Sequence, residues 1–236
     1  MVTQFLFKTR DELFSSLALA CQRHLDNALT QQQSASLLVS GGSTPAPLYQ
    51  ILSEADLDWK NIHIALVDER WVDSDHPASN EALIKKTLLI NRAAQAPFTP
   101  MKTAATTAIE GQPETEQHYR QLPKPFTVTI LGMGSDGHTA SLFPHAEGLD
   151  RALSPDYTQL TAAIMAQQSE VTGDNTERLS LSLHGLLQSK RLIILLTGEE
   201  KLAVFKQALK PGPVEDMPIR AILRQSTVPV ELYWAP

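Results

Sequence analysis

Short apolar runs alternate along this chain with stretches whose apolar residues recur at helical spacing. Leu13, Leu17, Cys21 and Leu25 share one face of a helix, and Thr9 followed by Glu12 has the form of a capping box at its start. SLLVS at 36–40 reads as a short buried strand ending in Gly41-Gly42-Ser43-Thr44-Pro45. Pro45 suits the first turn of a helix that continues through Leu48, Ile51 and Leu52. A second strand, IHIALV at 62–67, runs into Asp68-Glu69-Arg70, and Ser79 and Asn80 can cap a helix holding Leu83, Ile84 and Leu88. After a proline-rich connection near 97–100, residues 112–121 have a helical pattern, and FTVTIL at 126–131 is the next strand. RLIILL at 191–196 then meets Thr197-Gly198 and the helical EEKLAVFKQAL, and VPVELYW at 228–234 is a final strand.

Strands alternating with helices predict an α/β fold, an open and mostly parallel doubly wound sheet with helices on both faces. No repeat, low-complexity tract or linker interrupts the pattern, so a single domain over residues 1–236 is expected. Sheets of this kind bind ligands at the carboxyl ends of their strands, near the point where strand order reverses. Polar clusters follow positions 40, 67, 131 and 196, and all four can converge on one site.

Composition narrows the classes of function. Apolar residues make up 42% and charged residues 19% of the chain, an ordinary globular balance. The net charge of −6 argues against a nucleic-acid partner but leaves room for a small anion held by a few local cations. The single cysteine, Cys21, has no intrachain disulfide partner and falls on an apolar helix face. MVTQFLFKTRDELF reaches Lys8 and Asp11 too soon for a secretory apolar region, and no stretch approaches the roughly 18 apolar residues of a membrane span. A cytoplasmic protein without a membrane partner is the expectation.

The most chemically suggestive stretch is TVTILGMGSDGHTASLF at 127–143. Gly132-Met133-Gly134-Ser135-Asp136-Gly137 matches the letters of the dinucleotide fingerprint, but no strand ending in an acid follows about 20 residues later, as that site requires. The same glycines allow close backbone approach, Asp136 can orient an imidazole, and His138 is the natural general acid/base. The earlier SGGSTP loop has the form of an anion cradle, with amides after Gly41 and Gly42, the hydroxyls of Ser43 and Thr44, and a helix start. Arg178 and Lys201 can add phosphate charge, and Asp68-Glu69-Arg70 at a strand end reads as the rim of a polar pocket. A serine hydrolase lacks its G-x-S-x-G elbow here, and one cysteine with scattered histidines makes a poor zinc site. His24, His118 and His184 read as helix positions, His63 as a strand residue and His76 as part of a shaping loop.

Taken together, SGGSTP at 40–45, DERWV with HPASN at 68–80, LGMGSDGHTASLFP at 131–144, RLSLS at 178–182 and TGEEK at 197–201 resemble the 6-phosphogluconolactonases. The resemblance implies a modified Rossmann fold shared with glucosamine-6-phosphate deaminases and ribose-5-phosphate isomerases. It implies hydrolysis of 6-phospho-D-glucono-1,5-lactone in the pentose phosphate pathway, with no metal or organic cofactor; a monomer or small homo-oligomer is expected. His138 would exchange the protons, with Asp136 or Asp68 holding its tautomer. Arg70 or glycine-loop amides would face the oxyanion, and Ser43, Thr44, Arg178 and Lys201 would hold the phosphate. Deaminases share the glycine loop and the G-x-D-G-H core, but their pattern carries a carboxylate five residues past the histidine, where this chain has Phe143. Asp73 and Glu177 stand where the lactonase pattern often has proline, and Glu177 bears on how Arg178 is positioned. A sugar-phosphate sensor is the competing class. It would keep the cradle without needing His138 and would normally bring a DNA-binding segment.

Overall fold

The computed structural model describes residues 2–236. The first half holds β1 (Val2–Leu6), α1 (Arg10–Gln32), β2 (Ala35–Val39), α2 (Ala46–Ser53), β3 (Ile62–Leu66), β4 (Asp68–Arg70), α3 (Asn80–Thr87), β5 (Phe98–Thr99) and α4 (Ala108–Gln121). The second half holds β6 (Val128–Leu131), α5 (Leu149–Leu153), β7 (Thr161–Met165), β8 (Glu177–Leu181), α6 (Leu183–Leu186), β9 (Leu192–Thr197), α7 (Glu199–Ala208), α8 (Ile219–Arg224) and β10 (Val230–Ala235).

Seven strands form one parallel sheet in the order β1-β10-β9-β6-β2-β3-β5. Its central strands are mostly apolar because helices cover both faces; every residue of β2 is buried, Ser36 included. β1 at the edge is mostly exposed and reads as polar/apolar TQFL for that reason. After β2 the chain lays β3 and β5 on one side, then crosses to build β6, β9 and β10 on the other, where β10 pairs with the N-terminal β1 at the edge. Strand order therefore reverses between β2 and β6, which opens a crevice at their carboxyl ends. The expected open, parallel α/β architecture is the one present.

Local signals account for the helix starts. Thr9 Oγ1 accepts from Glu12 N at 3.2 Å, and Leu13, Leu17, Cys21 and Leu25 are all fully buried on α1. The reciprocal arm of that capping box lands one residue early, on Lys8 N rather than Thr9 N. Ser79 Oγ caps α3 by accepting from Ala82 N. α4 begins at Ala108, ahead of the expected 112, because Thr107 and Glu110 form a complete capping box there. Among the described residues no helix is long and apolar enough to cross a membrane.

A second sheet departs from the sequence expectation. Asp68-Glu69-Arg70, read as a pocket rim, is strand β4, and it pairs antiparallel in the order β4-β8-β7. Strand alternation turns Asp68 and Arg70 to one face and Glu69 to the other. Glu69 is fully buried and accepts from the backbone N–H groups of Arg70, Asn80 and Glu81 and from the Ser79 hydroxyl. Burial pushes its carboxyl up to about 7 even though the three backbone donors pull the other way. Glu69 is thus the clamp that seats the start of α3 on β4, and it does not face the cleft.

Candidate active site

The crevice is a cleft of about 420 Å³ lined from four strand ends, within the usual range of small-molecule sites. It collects Ser40 to Thr44 after β2 (Ser43 excepted), Asp68 and Arg70 on β4, Gly132 to Ser135 and His138 after β6, and Lys201 at the start of α7, with Asp136 behind His138 outside the lining.

The loop after β6 folds tightly on itself. Gly134 N–H donates to His138 O at 2.9 Å, Gly137 N–H to Gly134 O at 3.1 Å, and Thr139 Oγ1 to Gly132 O at 2.9 Å. The turn brings Asp136 Oδ1 against both the backbone N–H (3.0 Å) and ring Nδ1 (2.6 Å) of His138. Gly134 is required by this packing, since a Cβ there would lie 2.0 Å from His138 Nδ1. Burial acts to raise the Asp136 pKa, but the His138 hydrogen bond and charge outweigh it and hold the carboxyl below its ordinary value. A carboxylate that accepts from Nδ1–H leaves the Nε2 lone pair of neutral His138 for the cleft. The Phe143 ring packs against the imidazole, with centroids 4.3 Å apart. On that side His138 meets an apolar face where the deaminase pattern has an acid.

The loop after β2 is built differently. Gly41 leaves room for the Asn80 side chain, whose Oδ1 would lie 1.8 Å from a Cβ at that position. Asn80 in turn donates through Nδ2 to Asp68 O at 2.8 Å. Gly42 adopts φ 93°, and the chain passes through Pro45 into α2. Gly41, Gly42 and Thr44 line the cleft, whereas Ser43 is exposed and lies outside the lining.

Three cations face the same space. Arg178 pairs with Arg70 across β8 and β4 and is 97% buried, with 3% of its surface exposed. Its Nε donates to Asn175 O at 2.6 Å and its Nη2 to Thr172 O at 3.0 Å. Burial lowers Arg178 to about 10, with Asp68 drawing it back up, so it remains charged at neutral pH. Arg70 donates through Nη1 to Ala78 O, and its buried Nε has no protein partner. Lys201 Nζ donates to Met133 O at 2.8 Å; burial lowers its pKa, and Asp136 and Glu200 oppose that shift. Glu177 does not disturb Arg178, because its carboxylate turns away to accept from Ala108 N at 2.7 Å. His76 accepts from Ala78 N through Nδ1 and shapes the approach to α3.

Of the two acids open to partnership with His138, the structure brings Asp136 to it. Asp68 Oδ2 instead accepts from Ser141 Oγ at 2.6 Å. Ser141 and the Asn80 side chain carry no motif of their own beyond the matched stretches, and only the tertiary pairing shows what they touch.

The family described as glucosamine-6-phosphate isomerases/6-phosphogluconolactonase matches residues 8–234. The chain belongs to that family. A 6-phosphogluconolactonase of Rhizobium meliloti is 36% identical, with 98% of this chain and 97% of the relative covered. One from Pseudomonas aeruginosa is 38% identical over 93% of this chain and 89% of the relative. The crystal structure of a 6-phosphogluconolactonase from Shewanella baltica superposes with a TM-score of 0.94 at 39% identity, covering 100% of this chain and 98% of that one. In this chain the two glycine loops, His138 and Phe143 all border one cleft, and Asp136 holds His138 from behind.

Proposed function

We propose that the protein hydrolyses 6-phospho-D-glucono-1,5-lactone to 6-phosphogluconate, as a cytoplasmic step of the oxidative pentose phosphate pathway. The observation that carries this reading is an Asp136-held imidazole at the edge of a cation-bearing cleft, with Phe143 at the deaminase acid's position. His138 Nε2 takes a proton from water while the water oxygen bonds to C1 of the lactone. The resulting oxyanion faces glycine-loop amides other than that of Gly134, which is committed to His138 O, or the Arg70 guanidinium, donors fixed before the reaction begins. Collapse breaks the bond from C1 to the ring oxygen, and the imidazolium returns its proton to that oxygen. Asp136 stabilises the imidazolium between the two transfers. Such acid/base catalysis is typically worth about 10²–10⁴-fold.

The phosphate lies against Arg178, Lys201 and the Gly41–Thr44 loop in this reading. Binding the remote phosphate fixes the lactone carbonyl relative to His138 and converts affinity into orientation. The test is a coupled assay with freshly generated 6-phosphogluconolactone, corrected for spontaneous hydrolysis, run beside an ammonia assay with glucosamine 6-phosphate. Rapid lactone hydrolysis without ammonia release is expected. Robust deamination, with lactone loss no faster than in buffer, would refute the reading. Tight lactone binding without turnover would point to a sensor instead.

A further inference from the structure

Asp68 and Ser141 are 73 residues apart in sequence, yet the hydroxyl of one meets the carboxylate of the other at 2.6 Å. That length is typical of a charge-assisted O–H···O⁻ bond. Ser141 is fully buried, and its backbone N–H donates to Ser180 Oγ at 3.2 Å. Ser180 sits opposite Asp68 in the β4–β8 register, but its hydroxyl proton is committed to Leu181 O. Ser141 is therefore the hydroxyl that reaches Asp68, and it ties the loop carrying His138 to the strand carrying the acid.

The two oxygens of Asp68 are unequally served. Oδ2 has the short Ser141 bond, whereas Oδ1 has only Asn80 Nδ2 at 3.5 Å, and that amide spends its good bond on Asp68 O. An ionised carboxylate has about four acceptor positions, and a buried one left short of donors is costly. Asp68 is 7% exposed and borders the cleft. Its Oδ1 thus has acceptor capacity to offer a ligand, while His138 Nδ1 is already served by Asp136.

We propose that Asp68 accepts a hydrogen bond from one ring hydroxyl of the bound lactone, and that Ser141 is the positioning residue that fixes the carboxylate for it. This rests on the lactone-hydrolysis reading and adds to it a site that selects a hydroxylated sugar ring. Ser141 touches neither substrate nor reacting atoms; it stops Asp68 rotating away from the hydroxyl.

The test compares the unaltered protein, Ser141→Ala and Asp68→Asn on 6-phosphogluconolactone and on its three monodeoxy counterparts, each lacking the hydroxyl at C2, C3 or C4. On the parent lactone both substitutions are expected to lower kcat/KM by about tenfold or more, the usual weight of a hydrogen bond to a charged group. For one deoxy lactone the unaltered protein should already show that loss, and the substitutions should add little to it, as coupling between two members of one contact requires. Proportionally equal losses on all four substrates would reduce the Asp68–Ser141 pair to scaffolding and overturn the inference. Ser141→Cys, similar in volume but a weaker donor, carries the same comparison if the alanine variant does not fold. Failure of the unaltered protein to hydrolyse the parent lactone faster than buffer would remove the lactone reading and this inference together. Hydrolysis by the unaltered protein with uniform losses in the variants would remove the inference alone.

Discussion

The two glycine loops occupy equivalent places, each after a central strand and each bordering the cleft, but glycine serves them in different ways. At Gly134 the missing side chain makes room for the imidazole and carboxylate of the loop itself, His138 Nδ1 and Asp136 Oδ1. At Gly41 it makes room for a residue 39 positions on, Asn80, which also holds the backbone of Asp68. The first loop is fastened to the scaffold and presents backbone and a helix start. The second folds back on itself, with ties from Lys201 to Met133 O and from Ile219 N–H to Gly137 O, and presents a titratable side chain. Glycine in a binding loop is thus a statement about what must pass close by, and only the neighbour says whether that is chemistry or architecture.

The division predicts separable defects. Largest should be His138→Asn, which removes the proton carrier and is expected to lower kcat by roughly 10²-fold or more while 6-phosphogluconate still binds. Steady-state rates with product titration check both halves, and near-normal turnover in a folded variant would dismiss His138. Gly134→Ala should follow closely, because a Cβ at 2.0 Å displaces the ring and a misplacement of about 1 Å can cost about 10²-fold. Its counterpart, Gly41→Ala, should act mainly on KM and on melting temperature, since it overpacks the 3% exposed Asn80, at about 1–3 kcal/mol. If both alanine variants lost kcat and KM in the same proportion, the two loops would not differ in role.

Arg178→Ala and Lys201→Ala are each expected to weaken 6-phosphogluconate binding by about 1.5–3 kcal/mol, measurable by calorimetry. The arginine variant should also melt earlier than the lysine one, because Thr172 O and Asn175 O both lose their donor, against Met133 O alone for Lys201. Unchanged affinity in both would move the phosphate elsewhere. The smallest effect concerns acid stability. Asp136 is held below its ordinary pKa by His138, so the stability it contributes is present above the unfolded value of about 3.9 and is lost as pH falls through the lower folded value. Melting curves of the unaltered protein should therefore fall more steeply below about pH 4 than those of Asp136→Asn. Parallel curves would mean the pair adds nothing to folding.

What the sequence made legible follows from range. β2, β6 and β9 are almost wholly buried and so appear as mostly apolar runs, interrupted by single hydroxyl residues, Ser36, Thr129 and Thr197. Asp136 and His138 are two residues apart, and their pairing needs only a local turn. The second sheet was hidden because β4 is three polar or charged residues and β7 is the alanine-rich TAAIM, neither strand-like alone. Their strand character comes from pairing with β8. The choice between Asp136 and Asp68 as partner of His138 was equally out of reach, since it turns on Ser141 holding Asp68 across the fold. Glu69 could not be told from its neighbours either, until strand alternation sent it to the face away from them.

The second loop delivers a basic nitrogen, His138 Nε2, to the cleft. Nitrogen NMR of the ligand-free protein, with His138 assigned through the His138→Asn spectrum, tests it in the alkaline range where imidazole is neutral. A proton on Nδ1, donated to Asp136, and a bare Nε2 are expected. A proton found on Nε2 instead would leave no lone pair toward the lactone and would contradict that expectation.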